Sequence, residues 1–319
     1  MHELSRKAWF GTDLAEQDVT FTFSTAAARE IRAHLESVDR LAPGVLDLAE
    51  PQLPQTRHEA EALRRLVEEV RGFAIVEPLP GLDGVSERRA VAWLIGSLVG
   101  APVEQSAEGV KVVHVYDRDR SRRMQDGARY HQTRHGGSIH TDNVNRPETW
   151  DYLLMTCLFQ AMVGGESIVV SGVTVYHLLR ERAPRALEIL ARDFWWECRG
   201  FSEDCFRAPV LWFDFRGEPQ FRYLRDYLEG AHLKKGKPLS DDQLWALDTL
   251  DSALELSDLQ FRHDLAPGQT LVIDDKQMFH GRTSFSDLRD AVPYDAAPHQ
   301  GGGPFRRCLD RLWIRKHAA

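Results

Sequence analysis

A mainly β fold with flanking helices is what this sequence predicts, and three observations carry that expectation. From His140 onward the chain falls into short runs of strand-like composition, with turn signals at Gly164-Gly165 and Gly217. The first hundred residues instead show helical periodicity around one or two strands. Between these regions the character changes after Pro102, and a long polar connection, 117–137, intervenes. No linker, repeat or low-complexity tract divides the 319 residues. One domain over 1–319 is therefore expected, with 1–100 a helical wrap with edge strands and 117–137 a lid loop.

The elements follow in order. Asp18–Ser24 alternates as a short strand, and Ser24-Thr25 reads as a cap for a helix over Ala26–Val38 with Ile31 and Leu35 on one side. Pro43-Gly44 and Pro51–Pro54 are loop signals. His58–Val70 places Leu63, Leu66, Val67 and Val70 on one helical face, and Gly72 ends that helix. Phe73–Leu79 has the composition of a buried strand. Ser86 reads as the cap of a third helix, Glu87–Val99, which Gly100 ends. Val110–Tyr116 is a strand. Further strands are expected at Tyr152–Gln160, Ser167–Ser171, Val210–Phe215, Leu271–Asp274 and Leu309–Ile314. Helices are expected at Val173–Glu181, Pro184–Asp193 and Asp241–Glu255.

Composition narrows the function. The chain is 43% hydrophobic and 28% charged, enough to build a core without staples. A formal charge of −8 argues against a general nucleic-acid binder. The four cysteines, Cys157, Cys198, Cys205 and Cys308, show no CxxC pairing, which favours a reduced, cytoplasmic setting over a disulfide framework. No apolar run is long enough to span a membrane, and no apolar h-region follows the N-terminus.

The chemistry is expected at Gly136-Gly-Ser-Ile-His140-Thr-Asp142-Asn143, taken together with Phe279-His280-Gly-Arg282. In extended backbone, residues i and i+2 share a side, so His140 and Asp142 can face one cavity with Thr141 turned away. A second histidine from a neighbouring strand completes a 2-His-1-carboxylate site, a donor set suited to Fe(II) with open positions. The spacing alone is weak. His34-Leu-Glu36 has it too, in a helical run where such side chains diverge. Order adds weight: Gly136-Gly137, Gly164-Gly-Glu-Ser167, His280-Gly-Arg and an Arg-rich final strand follow one another. His114 reads as a core or outer-layer residue. His177, His232, His263 and His299 have no partner spacing. Trp195-Trp196 and Trp212 read as core or pocket wall.

Taken together, Gly72–Gly81, His140-Thr-Asp142, Gly164–Ser167, Phe279–Phe285 and Arg307-Cys-Leu-Asp-Arg311 make the chain resemble the Fe(II)/2-oxoglutarate-dependent dioxygenases of the taurine-dioxygenase and clavaminate-synthase-like group, from about Phe73 to Trp313. The resemblance implies a double-stranded β-helix, or jelly roll, with Fe(II) on His140, Asp142 and His280. It implies that Arg307 holds the distal carboxylate of 2-oxoglutarate, a role suited to a guanidinium fork. Ser167 would add a hydroxyl. Arg311 would meet a substrate carboxylate, Gln105 a substrate amine, and His131 in the polar loop an anionic or zwitterionic substrate. The sequence departs from the family in the 27-residue step from His280 to Arg307, a longer spacing than usual. Arg306 and Arg289 therefore remain candidates for the cosubstrate.

The implied activity uses Fe(II), 2-oxoglutarate and O2 to hydroxylate an unactivated C–H of a small amino-acid-like or specialised-metabolite substrate, releasing succinate and CO2. Asp142 argues against the related halogenases, which keep a small residue there. Desaturation, epoxidation and cyclisation use the same ligands. A non-catalytic jelly-roll protein binding a small acid and a cupin-type isomerase are the readings from other classes. The latter would need neither O2 nor the Arg307 and Arg311 pair.

Overall fold

The computed structural model describes residues 6–37, 53–118, 129–136, 138–287 and 306–317. Most of the expected lid and Arg289 lie outside them.

The strands are, in chain order, β1 (Thr20–Phe21), β2 (Phe73–Val76), β3 (Ala101–Val103), β4 (Val113–Val115), β5 (Tyr152–Phe159), β6 (Val163–Gly164), β7 (Ser167–Ser171), β8 (Asp193–Glu197), β9 (Cys205–Pro209), β10 (Leu211–Phe213), β11 (Pro219–Phe221), β12 (Gln260–His263), β13 (Thr270–Asp274), β14 (Met278–Arg282), β15 (Phe285–Ser286) and β16 (Cys308–Arg315). The helices are α1 (Thr25–Ser37), α2 (Pro54–Arg65), α3 (Val85–Val99), α4 (Gly172–Arg182), α5 (Pro184–Leu190), α6 (Arg225–Lys234) and α7 (Asp241–Leu254). No described helix is long and apolar enough to cross a membrane.

Two sheets make the frame. The larger runs β1-β2-β13-β5-β16-β3, with β4 also on β16. The smaller runs β12-β7-β14, and His140 extends it through a bridge to His280. Residue parity sorts the side chains of both. Phe73, Ile75, Leu271, Ile273, Leu309 and Trp313 of the larger sheet pack with Val169, Phe261 and Met278 of the smaller in one cluster. The alternate residues Ala74, Val76, Val272, Leu312 and Ile314 pack outward on α1 to α3. Ile168, Val170 and Phe279 pack outward on α4 to α7. The result is the expected jelly roll, two facing sheets between two helical layers. The sheets do not close into one continuous barrel among the described residues.

Several boundaries differ from expectation for local reasons. The Ser24 hydroxyl accepts from Ala27 N at 3.2 Å and so caps α1. Gly84, not Ser86, caps α3, and Glu87 reaches back to its N–H at 3.0 Å. Helix α2 continues as a π turn over Leu66–Arg71, and Gly72 ends it at φ 82°. Strands β8, β9, β11 and β12 and helix α6 were not expected from sequence.

Candidate metal centre

Backbone pairing brings the two histidines together. His140 N donates to His280 O at 2.8 Å and His280 N to His140 O at 2.7 Å. Side chains directly across such a pair stand side by side, and the two imidazole centroids are 4.4 Å apart. His140 forms only an isolated bridge, not a strand. Asp142 leaves the ladder, and its N–H is held at 3.0 Å by Asp275 Oδ1. Thr141 turns away, its hydroxyl accepting from Tyr223 N at 2.9 Å. One donor atom each of His140, Asp142 and His280 lies within 4.8 Å of the others. All three residues are buried, at 3%, 8% and 7% exposure. This is the one such His/Cys/Asp/Glu group among the described residues.

The protonation states suit a cation. His140 Nδ1 lies 2.9 Å from Ser138 O, so it carries the proton and leaves Nε2 as a donor. Burial, reinforced by His140, pushes His280 down to about 3, and burial likewise lowers His140. Burial alone would raise Asp142, but the Arg311 guanidinium and the Trp313 N–H outweigh it and hold the carboxyl at about 2. Asp275, 3.5 Å from His280 Nδ1, is raised by burial and by Asp142. Two neutral imidazoles beside a carboxylate form a donor set that fits a divalent cation.

Two small recesses flank this cluster, and Tyr130, His131, His140, Asp142 and Arg311 line both. Ser167, Met155, His280, Arg282 and Arg307 help to line the first. Register explains the pairing, because Arg282 on β14 lies across from Ser167 on β7. Arg307 Nη2 donates to Gly165 O at 3.1 Å, while its buried Nη1 has no partner. Burial and the nearby Arg282 push Arg307 down to about 10. Arg282 stacks on Tyr130 at 4.2 Å, and its buried Nε is also unpartnered. Two buried guanidiniums with orphaned N–H groups fit an anionic ligand that supplies acceptors. This recess therefore suits the distal carboxylate of 2-oxoglutarate. Arg306 points elsewhere, donating to Asp117 O and stacking on Tyr116 at 5.5 Å.

The second recess adds Arg129, Asn143, Asn145, Tyr227 and Trp313. Arg311 Nη1 reaches Asp142 Oδ1 at 3.0 Å and Oδ2 at 2.9 Å, and Trp313 Nε1 donates to Oδ2 at 3.1 Å. Gln105 is fully buried and lines neither recess. Its carbonyl accepts from Arg311 Nε at 2.9 Å and its amide donates to Lys111 O and Arg311 O, so it orients Arg311. His131 is buried, and burial with Arg311 keeps it neutral. His114 lies away from the cluster, 2.6 Å from Asp310. Arg282 falls within the Phe279–Phe285 motif, yet its place in the recess is not evident from the motif alone. Its position two residues after His280, on the same side of the strand, was the available signal.

A larger open cleft of about 490 Å³ lies elsewhere, lined by Lys7, Asp151, Asp274, Lys276 and Lys316 among others. Its charges pair with one another, as Lys7–Asp274 and Lys276–Asp151 do at 2.7 Å. The cleft is a solvated surface, whereas Arg282 and Arg307 in the first recess each keep a buried nitrogen without a partner among the described residues.

Comparison with known proteins agrees with this geometry. Asparagine oxygenase in complex with Fe(II), 2S,3S-3-hydroxyasparagine and succinate superposes with a TM-score of 0.67 at 18% identity, covering 93% of each chain. Non-heme iron oxygenase OrfP in complex with Fe and alpha-ketoglutaric acid superposes at 0.60 with 16% identity, over 93% of this chain and 94% of that one. FR-33289 synthase of Streptomyces rubellomurinus is 26% identical, over 92% of this chain and 84% of its own length. The taurine hydroxylase-like protein SAT17 of Stachybotrys chartarum is 24% identical, over 87% and 74%. The model of the taurine catabolism dioxygenase TauD, TfdA family matches residues 33–292. The chain belongs to that family and is a dioxygenase that uses Fe(II), 2-oxoglutarate and O2.

Proposed function

We propose that this enzyme hydroxylates an unactivated C–H of a small amino-acid-like substrate, with His140, Asp142 and His280 holding the iron. The observation that carries the reading is the buried three-donor cluster flanked by two recesses, one of which holds orphaned guanidinium nitrogens. Bound iron with 2-oxoglutarate supplies the oxidising chemistry, in which O2 is spent and succinate and CO2 are released. The chain supplies binding, orientation and dryness. Arg307, helped by Arg282 and Ser167, holds the distal carboxylate of the cosubstrate. Arg311, oriented by Gln105, lines the second recess and takes a substrate carboxylate there. His131 stays neutral on the wall between the two sites. The hydroxylated amino acids in the asparagine oxygenase and OrfP structures support an amino-acid-like substrate and hydroxylation as the outcome.

Succinate release under Fe(II), ascorbate and O2 tests the proposal. His140→Ala, Asp142→Ala and His280→Ala each reduce it to background while circular dichroism stays native. Unchanged turnover in any of the three would remove that residue from the metal site.

A further inference from the structure

The second recess holds a pair of side chains to which neither metal nor cosubstrate gives work. Asn143 follows Asp142 directly and Asn145 comes two residues later; they are 2% and 4% exposed. Asn143 Nδ2 donates to Glu148 O at 3.3 Å, and Asn145 Nδ2 donates to Arg199 O at 2.7 Å. A carbonyl facing each amide settles its orientation, because an amide oxygen there would meet another acceptor. The atoms left over are therefore both oxygens, and both Oδ1 atoms are buried with no partner among the described residues. Asn143 also sits at φ 55°, the one non-glycine residue in the left-handed region among those described. Asparagine tolerates that conformation better than most residues, and such strain gathers at functional sites. The strained turn comes immediately after a proposed metal ligand, and both asparagines line the recess that Arg311 also lines.

Buried acceptors without donors call for a ligand that brings N–H groups. We infer that Asn143 and Asn145 form a subsite that reads an ammonium or amide N–H on the substrate, so that the recess selects molecules carrying both an anion and an N–H donor. This rests on the proposed function, since it takes the second recess as the substrate site. Arg311 reads the anion and the two asparagine oxygens read the nitrogen. A carboxylate of the same skeleton without the nitrogen leaves both oxygens buried and unpaired, which is where discrimination arises.

The test uses the full-length Fe(II) enzyme with 2-oxoglutarate and a panel of the standard L-amino acids, their N-acetyl derivatives and their des-amino counterparts. Succinate release is the readout. At least one N–H-bearing member raises the rate, and its des-amino counterpart is at least about tenfold poorer in kcat/KM. Asn143→Gly, which suits the left-handed backbone, and Asn145→Ala each raise the KM of the responsive member by about tenfold or more, while the KM for 2-oxoglutarate moves far less. Equal response to des-amino members, or variants that keep the substrate KM, would mean that water satisfies these oxygens and would overturn the subsite. If the wild type binds 2-oxoglutarate yet no N–H-bearing member stimulates it, the subsite falls and the iron reading stands. If the wild type binds no 2-oxoglutarate, both fall.

Discussion

His140 and His280 face each other because their backbones exchange both hydrogen bonds, and burial keeps the imidazoles neutral. That has a consequence for stability. The unfolded chain binds protons at these histidines from about pH 6.5 downward, where the folded chain refuses them. Folded-state values lie below the unfolded ones, so stability is present above about pH 6.5 and is lost as pH falls toward about 3, the value His280 reaches. The urea midpoint of the metal-free protein therefore drops between these limits, and His280→Asn flattens the drop. The second prediction at this scale separates neighbouring arginines. Arg307→Ala raises the KM for 2-oxoglutarate by about a hundredfold or more, as expected for removing a buried charged partner. Arg306→Ala leaves that KM within about threefold, because its guanidinium faces Asp117 and Tyr116. Steady-state kinetics decides both. His140 and Asp142 were legible because their spacing matches extended backbone, and His280 because Gly-Arg follows it. Arg282, Asn143 and Asn145 were not, because an orphaned polar atom is defined by what surrounds it in space.

At the level of elements, β14 and β16 carry most of the site. Alternation points Met278, His280 and Arg282 to one side of β14 and Phe279 to the other. On β16 it sends Leu309, Arg311 and Trp313 inward while Leu312 and Ile314 meet the helices. The turn between β6 and β7 serves the same recess. Gly165 sits at φ 87°, and an added Cβ would come within 2.7 Å of Arg307 Nε. Gly165→Ala is therefore expected to cost about 1–3 kcal/mol of stability through the backbone alone and to raise the KM for 2-oxoglutarate by displacing Arg307. A midpoint shift without a KM change would show that Arg307 does not depend on this turn. The long His280-to-Arg307 spacing left three arginines open in sequence, and the start of β16 brings Arg307 to the recess. Other elements escaped sequence reading for plain reasons. Strand β9 contains Arg207 and Pro209, and α6 carries Gly230 mid-helix.

The molecule as a whole is a frame for the space between two sheets. Helices α1 to α3 cover one outer face and α4 to α7 the other. Helices α1 to α3 stabilise the frame without lining either recess, whereas Tyr227 of α6 lines the second. Leu94 is fully buried between α3 and the larger sheet. Leu94→Ala is expected to cost about 2–5 kcal/mol, read from the urea midpoint, with the 2-oxoglutarate KM unchanged. The fold class was legible at this scale because strand-like and helical patterns segregate along the chain. The pairing of distant strands was legible only through the family resemblance, since alternation does not say which strand lies beside which. The proposed roles of His140, Asp142 and His280 in holding the iron, and of Arg307 in anchoring 2-oxoglutarate, stand or fall on anomalous diffraction at the iron edge from crystals of the anaerobic Fe(II)·2-oxoglutarate complex. One peak bound by those three side chains is expected, with the distal carboxylate on Arg307; iron bound elsewhere, or a carboxylate seated away from Arg307, would overturn the assignment.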